Sequence, residues 1–233
     1  MPKERKFKQL FWGWVALLSL PFPDHSLAQQ PDQINQWLQY TGSYWFNARW
    51  AATANVQYRT YRPIKDPRTT FLGAELQYNF KDAPVAVSGG YAHLFNRNYL
   101  PAEETEYTHE NRLYQTLTLR GNLWKTGITH RYQLEERWLP QEYHTRFRYL
   151  LALKLPFGGT GQEPGPWYGI LRNEVRVIVR NQPFDSNRVF GGAGYTFNKH
   201  LTVEGMWMSQ LVGNGNHQHF TMFVLRHDFG KME

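Results

Sequence analysis

The 233-residue sequence contains no cysteine. That absence excludes disulfides, thiolate nucleophiles and cysteine-based zinc sites, so stability has to come from packing or from a closed hydrogen-bond network. Long apolar runs are missing as well. Past residue 28 nothing approaches the roughly 18–20 residues needed for a transmembrane helix, and the mean hydropathy is −0.62. From Trp37 onward there is little helical periodicity. The formal charge of +7 is partly carried by Lys3, Arg5, Lys6 and Lys8. What remains is moderately basic, and no nucleic-acid partner is expected from it.

The first stretch joins "MPKERKFKQ" to "LFWGWVALLSL" and then to "PFPDHSLA", with small residues at Ser26 and Ala28. A basic head, a short apolar centre and small residues at the end are the pattern of a secretory signal peptide, here residues 1–28 with cleavage after Ala28. Residues 29–233 are then a single mature domain. Export also argues against a nucleic-acid partner.

The mature segment shows stretches of about ten residues alternating with period two. In "TFLGAELQYNF", Leu72, Ala74, Leu76, Tyr78 and Phe80 share one face, while Gly73, Glu75, Gln77 and Asn79 share the other. Candidate strands fall near 36–46, 49–60, 70–80, 84–97, 111–123, 126–138, 143–155, 167–180, 187–197, 200–211 and 218–229. Asn198 and Lys199 fit a two-residue hairpin turn. Short connections alternate with longer ones such as "YRPIKDPRT", "NYLPAEETEYTHE", "NQPFDSN" and "VGNGNH"; "PFGGTGQEPGP" is long where a short turn is due. Strands of this length with unequal connections predict an all-β fold: a single antiparallel up-and-down transmembrane β-barrel of about 10–12 strands. Eleven is an unusual number for a bacterial barrel, so twelve is favoured, or else "QQPDQINQW" runs through or alongside the barrel. Closure leaves no unpaired edge and satisfies every backbone group in lipid.

Strand parity assigns the charges. In "LRNEVRVIVR", Leu171, Val175, Val177 and Val179 share a face, opposite Arg172, Glu174, Arg176 and Arg180. The two preceding strands put Tyr132, Leu134, Phe147, Tyr149 and Leu151 outward, and Arg131, Gln133, Glu135, Arg137, Arg146 and Arg148 inward. The expected lumenal polar cluster is therefore Arg131, Glu135, Arg137, Arg146, Arg148, Arg172, Glu174, Arg176 and Arg180. Its preferred reading is a plug that sets register and stability. The alternative, a cationic lumen that binds or passes an anionic solute, rests on the excess of arginine over glutamate.

Tyr44, Phe46, Phe80, Trp124, Trp138, Phe197, Trp207 and Phe229 lie near strand ends or on outward positions, as in the aromatic girdles of membrane barrels; a sugar-stacking platform is the lesser reading. "HQH" at 217–219 sits in a Gly/Asn-rich stretch without a carboxylate motif, and reads as a solvated loop rather than a metal site. His130 falls on the outward face. Ser88, Ser186 and Ser209 are the serines to examine for a Ser-His-acid site, and none lies in a nucleophile motif. "GGTGQEPG" lacks the lysine and following Ser/Thr of a phosphate loop. No cofactor, metal or catalytic residue is expected.

"THRYQLEERW", "RFRY", "YGILRNEV", "FDSNRVFGGAGYTFNKHLTVEGMW" and "HFTMFVLRHDF" together resemble the DUF2490 proteins, uncharacterised exported β-barrels common in Bacteroidetes. The resemblance implies a porin-like barrel in the outer membrane of a Gram-negative bacterium, surrounded by outer-membrane lipid, and supplies no activity. The expectation is a monomeric structural or accessory protein that is not an enzyme; a lipid hydrolase or acyltransferase is the remote alternative.

Overall fold

The structure is a computed structural model, and it describes residues 35–99, 105–158, 165–179, 184–213 and 215–231. The expected signal peptide and Arg180 lie outside the described residues. Eleven strands are described: β1 (Asn35–Trp45), β2 (Trp50–Arg62), β3 (Lys65–Asn79), β4 (Val85–Tyr99), β5 (Thr105–Leu123), β6 (Thr126–Trp138), β7 (Tyr143–Phe157), β8 (Trp167–Ile178), β9 (Phe184–Asn198), β10 (Leu201–Val212) and β11 (His217–Gly230). Each pairs with its neighbours in sequence, and β1 closes on β11 to complete a barrel.

Closure corrects the preference for twelve strands. With an odd number of up-and-down strands the first and last run the same way, and β1 pairs β11 in parallel from Asn35↔Phe220 to Trp45↔Gly230. The seam ends on Gly230, whose φ is 91°. A Cβ there would lie 2.3 Å from the Trp45 carbonyl oxygen, so only glycine fits this close approach.

The alternation of short and long connections also changes. "YRPIKDPRT" is paired strand out to Arg62↔Lys65, turning at Pro63 and Ile64, the latter with φ 62°. The β4–β5 ladder extends to Tyr99↔Thr105. β6 reaches only Asn111 of β5, so the β4–β5 hairpin stands above its neighbour. The β9–β10 turn is Lys199–His200, one residue later than expected. It is fixed by the Asn198 side-chain oxygen, which accepts from the backbone N–H of His200 (2.8 Å) and Leu201 (3.0 Å). "HQH" begins β11 rather than forming a loop, and His219 stacks on Trp207 at 5.6 Å.

Alternation turns one face of each strand out and the other in. The outward face is apolar and uncovered, with Leu72, Leu76, Leu113, Leu117, Leu134, Phe147, Leu171, Val189 and Phe223 all exposed. Aromatic rings concentrate at the end where β1 finishes: Tyr44–Phe46 (5.3 Å), Trp50–Tyr78 (4.9 Å), Tyr78–Phe80 (5.2 Å), Trp167–Tyr195 (4.8 Å) and Tyr195–Phe197 (4.7 Å). Phe229 joins them through Tyr44, and Trp124 is almost fully exposed in the β5–β6 turn. Trp138 pairs with Tyr143 at the opposite end.

Inside, the wall is divided. Trp37, Tyr168, Ile170, Phe190, Met206, Met208, Phe220, Met222 and Val224 form a buried apolar cluster on β1 and β8–β11. Tyr168 fits because β9 carries Gly194 opposite it; a Cβ there would lie 2.3 Å from the ring. Charge faces the interior chiefly from β5–β8, joined by Arg188, Glu204 and Arg226 on the cluster's own strands.

Candidate functional site

The centre of the lumen is Glu135. It faces Arg146 across the β6–β7 ladder and accepts from that guanidinium through Nε (2.8 Å) and Nη2 (2.5 Å). Arg148 Nη1 donates to its other oxygen at 2.5 Å, and Gln133 adds a bond at 3.0 Å. Arg148 and Arg176 face one another directly, a repulsive arrangement that side-chain direction relieves. Arg148 leans to Glu174 (2.5 Å), while Arg176 donates to Ser186 (2.5 Å) and pairs with Asp185 (3.1 Å). Arg131 and Arg188 each lie 3.4 Å from Glu174. The side chains of Glu135 and Arg146 are only 2% and 3% exposed, so this pair is removed from bulk water and its charges depend on each other.

Of the expected cluster, Arg131, Glu135, Arg146, Arg148, Glu174 and Arg176 meet in this single network. The other two described members belong to adjoining groups. Arg137 pairs with Glu110, beside Arg112, and its Nη1 lies 2.8 Å from His144 Nε2. Arg172 reaches Glu204 on β10 at 2.8 Å, where Arg226 (3.3 Å) and the Tyr168 hydroxyl (3.1 Å) also converge.

Asp185 and Arg68 escape simple parity. The β8–β9 register moves from Arg176↔Ser186 to Val177↔Phe184, so Asp185 is an extra residue turned toward Arg146 and Arg176. On β3 the register moves from Arg59↔Thr69 to Thr60↔Pro67. The extra Arg68 reaches across the barrel to Gln218 (3.0 Å) and lies over Phe220. Glu110, Arg112, Arg188, Glu204 and Arg226 lie on ordinary inward positions that alternation could have found.

The lattice borders a chamber of about 450 Å³. Its polar wall includes Thr41, Thr53, Asn55, Gln77, Thr118 and Thr129; Phe190, Met222 and Val224 form its apolar side. Beyond the lattice, toward the end where β1 begins, the buried side chains of Glu110, His144, Ser186, Gln210, Met208 and Phe220 fill the interior.

Of the three candidate serines, Ser88 and Ser186 face inward and donate to Glu75 (3.4 Å) and Asp185 (3.2 Å). Ser209 stands opposite His219 on the outer wall. His130 lies outward, with Nδ1 2.9 Å from the Tyr149 hydroxyl. Among the described residues no group of three His, Cys, Asp or Glu side chains is placed to hold a metal ion. The family model described as protein of unknown function (DUF2490) matches residues 34–221. No curated protein and no solved structure matches the chain.

Proposed function

The chain belongs to the DUF2490 family, and from that premise we propose that it is a monomeric, structural or accessory barrel of the outer membrane of a Gram-negative bacterium, exported by residues 1–28. One observation carries the reading. The large outward side chains are apolar and exposed, while carboxylates and guanidinium groups are gathered inside. Water solvates the reverse arrangement better; lipid suits this one. The rings at the β1-terminal end support the same placement, because amphipathic aromatics favour the membrane interface. The filled interior beyond the chamber supports a plug rather than a porin-like pore. No enzymatic role is proposed.

Expression of the full chain in a Gram-negative host tests the location. Heat-modifiable protein in the outer-membrane fraction is the expected result, and recovery in the soluble periplasmic fraction would sink the proposal. A second reading, a binding barrel for anionic solutes, is favoured by one specific feature of the chamber, its excess of cations.

A further inference from the structure

Ten arginines line the chamber, against six carboxylates among the described residues that line it or form ion pairs with them: Glu75, Glu110, Glu135, Glu174, Asp185 and Glu204. A guanidinium does not discharge by losing its proton, so the surplus is permanent. It is also localised. Among the described residues Arg59 has no carboxylate partner: Nη2 donates to Gln57 at 2.6 Å, and the guanidinium lies 3.8 Å from the centre of the Trp37 ring. Arg188 approaches the same indole at 5.5 Å and donates Nε to Gln210 at 2.7 Å; its contact with the Glu174 carboxylate is long at 3.4 Å. Two cations thus meet around one aromatic ring, Arg59 held by neutral groups and Arg188 by Gln210 and a shared Glu174. Buried N–H donors accumulate there too, since Arg59 Nε and Trp37 Nε1 have no acceptor among the described residues.

We propose that the chamber is a binding site for a small oxyanion, phosphate or carboxylate in chemistry, held between Arg59 and Arg188 beside Trp37. The guanidinium fork suits both classes, since it presents two parallel donors to two oxygens. Glutamine and indole fix the Arg59 fork without neutralising it, and Arg188 shares Glu174 with Arg131 and Arg148, which leaves cationic charge for a ligand. The Trp37 ring orients both guanidinium groups, while its own N–H is buried. A chamber of about 450 Å³ admits a diphosphate or tricarboxylate rather than a polymer. The site depends on the interior alone, so it stands or falls separately from the barrel's location.

The test uses the full chain refolded in detergent, titrated calorimetrically with pyrophosphate and with citrate at fixed ionic strength. Saturable binding of at least one is expected, weakened tenfold or more by Arg59→Gln and by Arg188→Gln and unchanged by Lys125→Gln, which removes a cation outside the barrel. Preference for pyrophosphate would identify a phosphorylated ligand, and preference for citrate a polycarboxylate; either supports the site. Heat-modifiable migration checks that each variant is folded. Trp37→Leu removes the ring that orients both guanidinium groups, and is expected to weaken binding several-fold should an arginine variant not fold. Absence of binding to both anions, or affinity unchanged in the folded variants, overturns the proposal.

Discussion

Glu135→Gln preserves shape at the centre of the lattice and removes one charge. Four hydrogen bonds end on this carboxylate, three of them from Arg146 and Arg148. Removing one partner from a buried ion pair costs about 3–5 kcal/mol, because the remaining charge stays desolvated. Here the lower end applies: Arg148 keeps Glu174 at 2.5 Å and Arg146 keeps Asp185 at 3.4 Å. The expected loss is about 3 kcal/mol. It is measured by guanidinium unfolding of the refolded barrel followed by tryptophan fluorescence. The double variant Glu135→Gln/Arg146→Met removes both members, and should be less destabilised than the sum of the singles by about 1–3 kcal/mol. A loss below about 1 kcal/mol for Glu135→Gln, or strict additivity, would refute the claim that these charges are buried and interdependent.

Leu134→Arg places a cation on the outward face at mid-length of β6; in a bilayer it should cost about 2–4 kcal/mol, whereas a cost within about 0.5 kcal/mol would speak for a water-facing wall. Gly194→Val forces a side chain onto the Tyr168 ring and should destabilise by about 1–3 kcal/mol through overpacking, read from the same unfolding curves; no change would mean that the ring moves freely. Gly230→Ala is strained at φ 91° and collides with Trp45 at the parallel seam, so amide exchange along β1 should accelerate more than along β6. Equal protection in variant and parent would show the seam to be insensitive to this contact.

Strand placement was legible because alternation is the pattern that a wall with an apolar outer face and a polar inner face imposes on most strands. Leu72/Glu75 and Val175/Arg176 state it locally, without knowledge of partners. The parallel closure was not legible, since β1 and β11 are remote in sequence and either parity of strands reads alike along the chain. Parity also fails wherever a residue is inserted: Asp185 and Arg68 would both have been assigned outward, and the bulges turn them in. Polar pairing beyond adjacent strands was out of reach for a related reason. Arg172 of β8 finds Glu204 of β10, and Arg68 finds Gln218, contacts fixed by barrel curvature rather than spacing. The apolar half of the lumen was missed because Met206, Met208, Met222 and Val224 sit in strands greasy on both faces, where alternation loses contrast. Loop lengths were overestimated, since Pro, Asp and Glu in "YRPIKDPRT" and "NYLPAEETEYTHE" read as turn formers although the ladders persist through much of both.

The central claim is that the lattice closes the barrel, and single-channel conductance in planar bilayers tests it most directly. The parent protein is compared with Arg146→Ala/Arg148→Ala/Arg176→Ala. The account predicts a silent parent and a variant that conducts, the variant's current also proving that the barrel inserts. Steady anion-selective current through the parent would contradict it and make the arginines the lining of a channel.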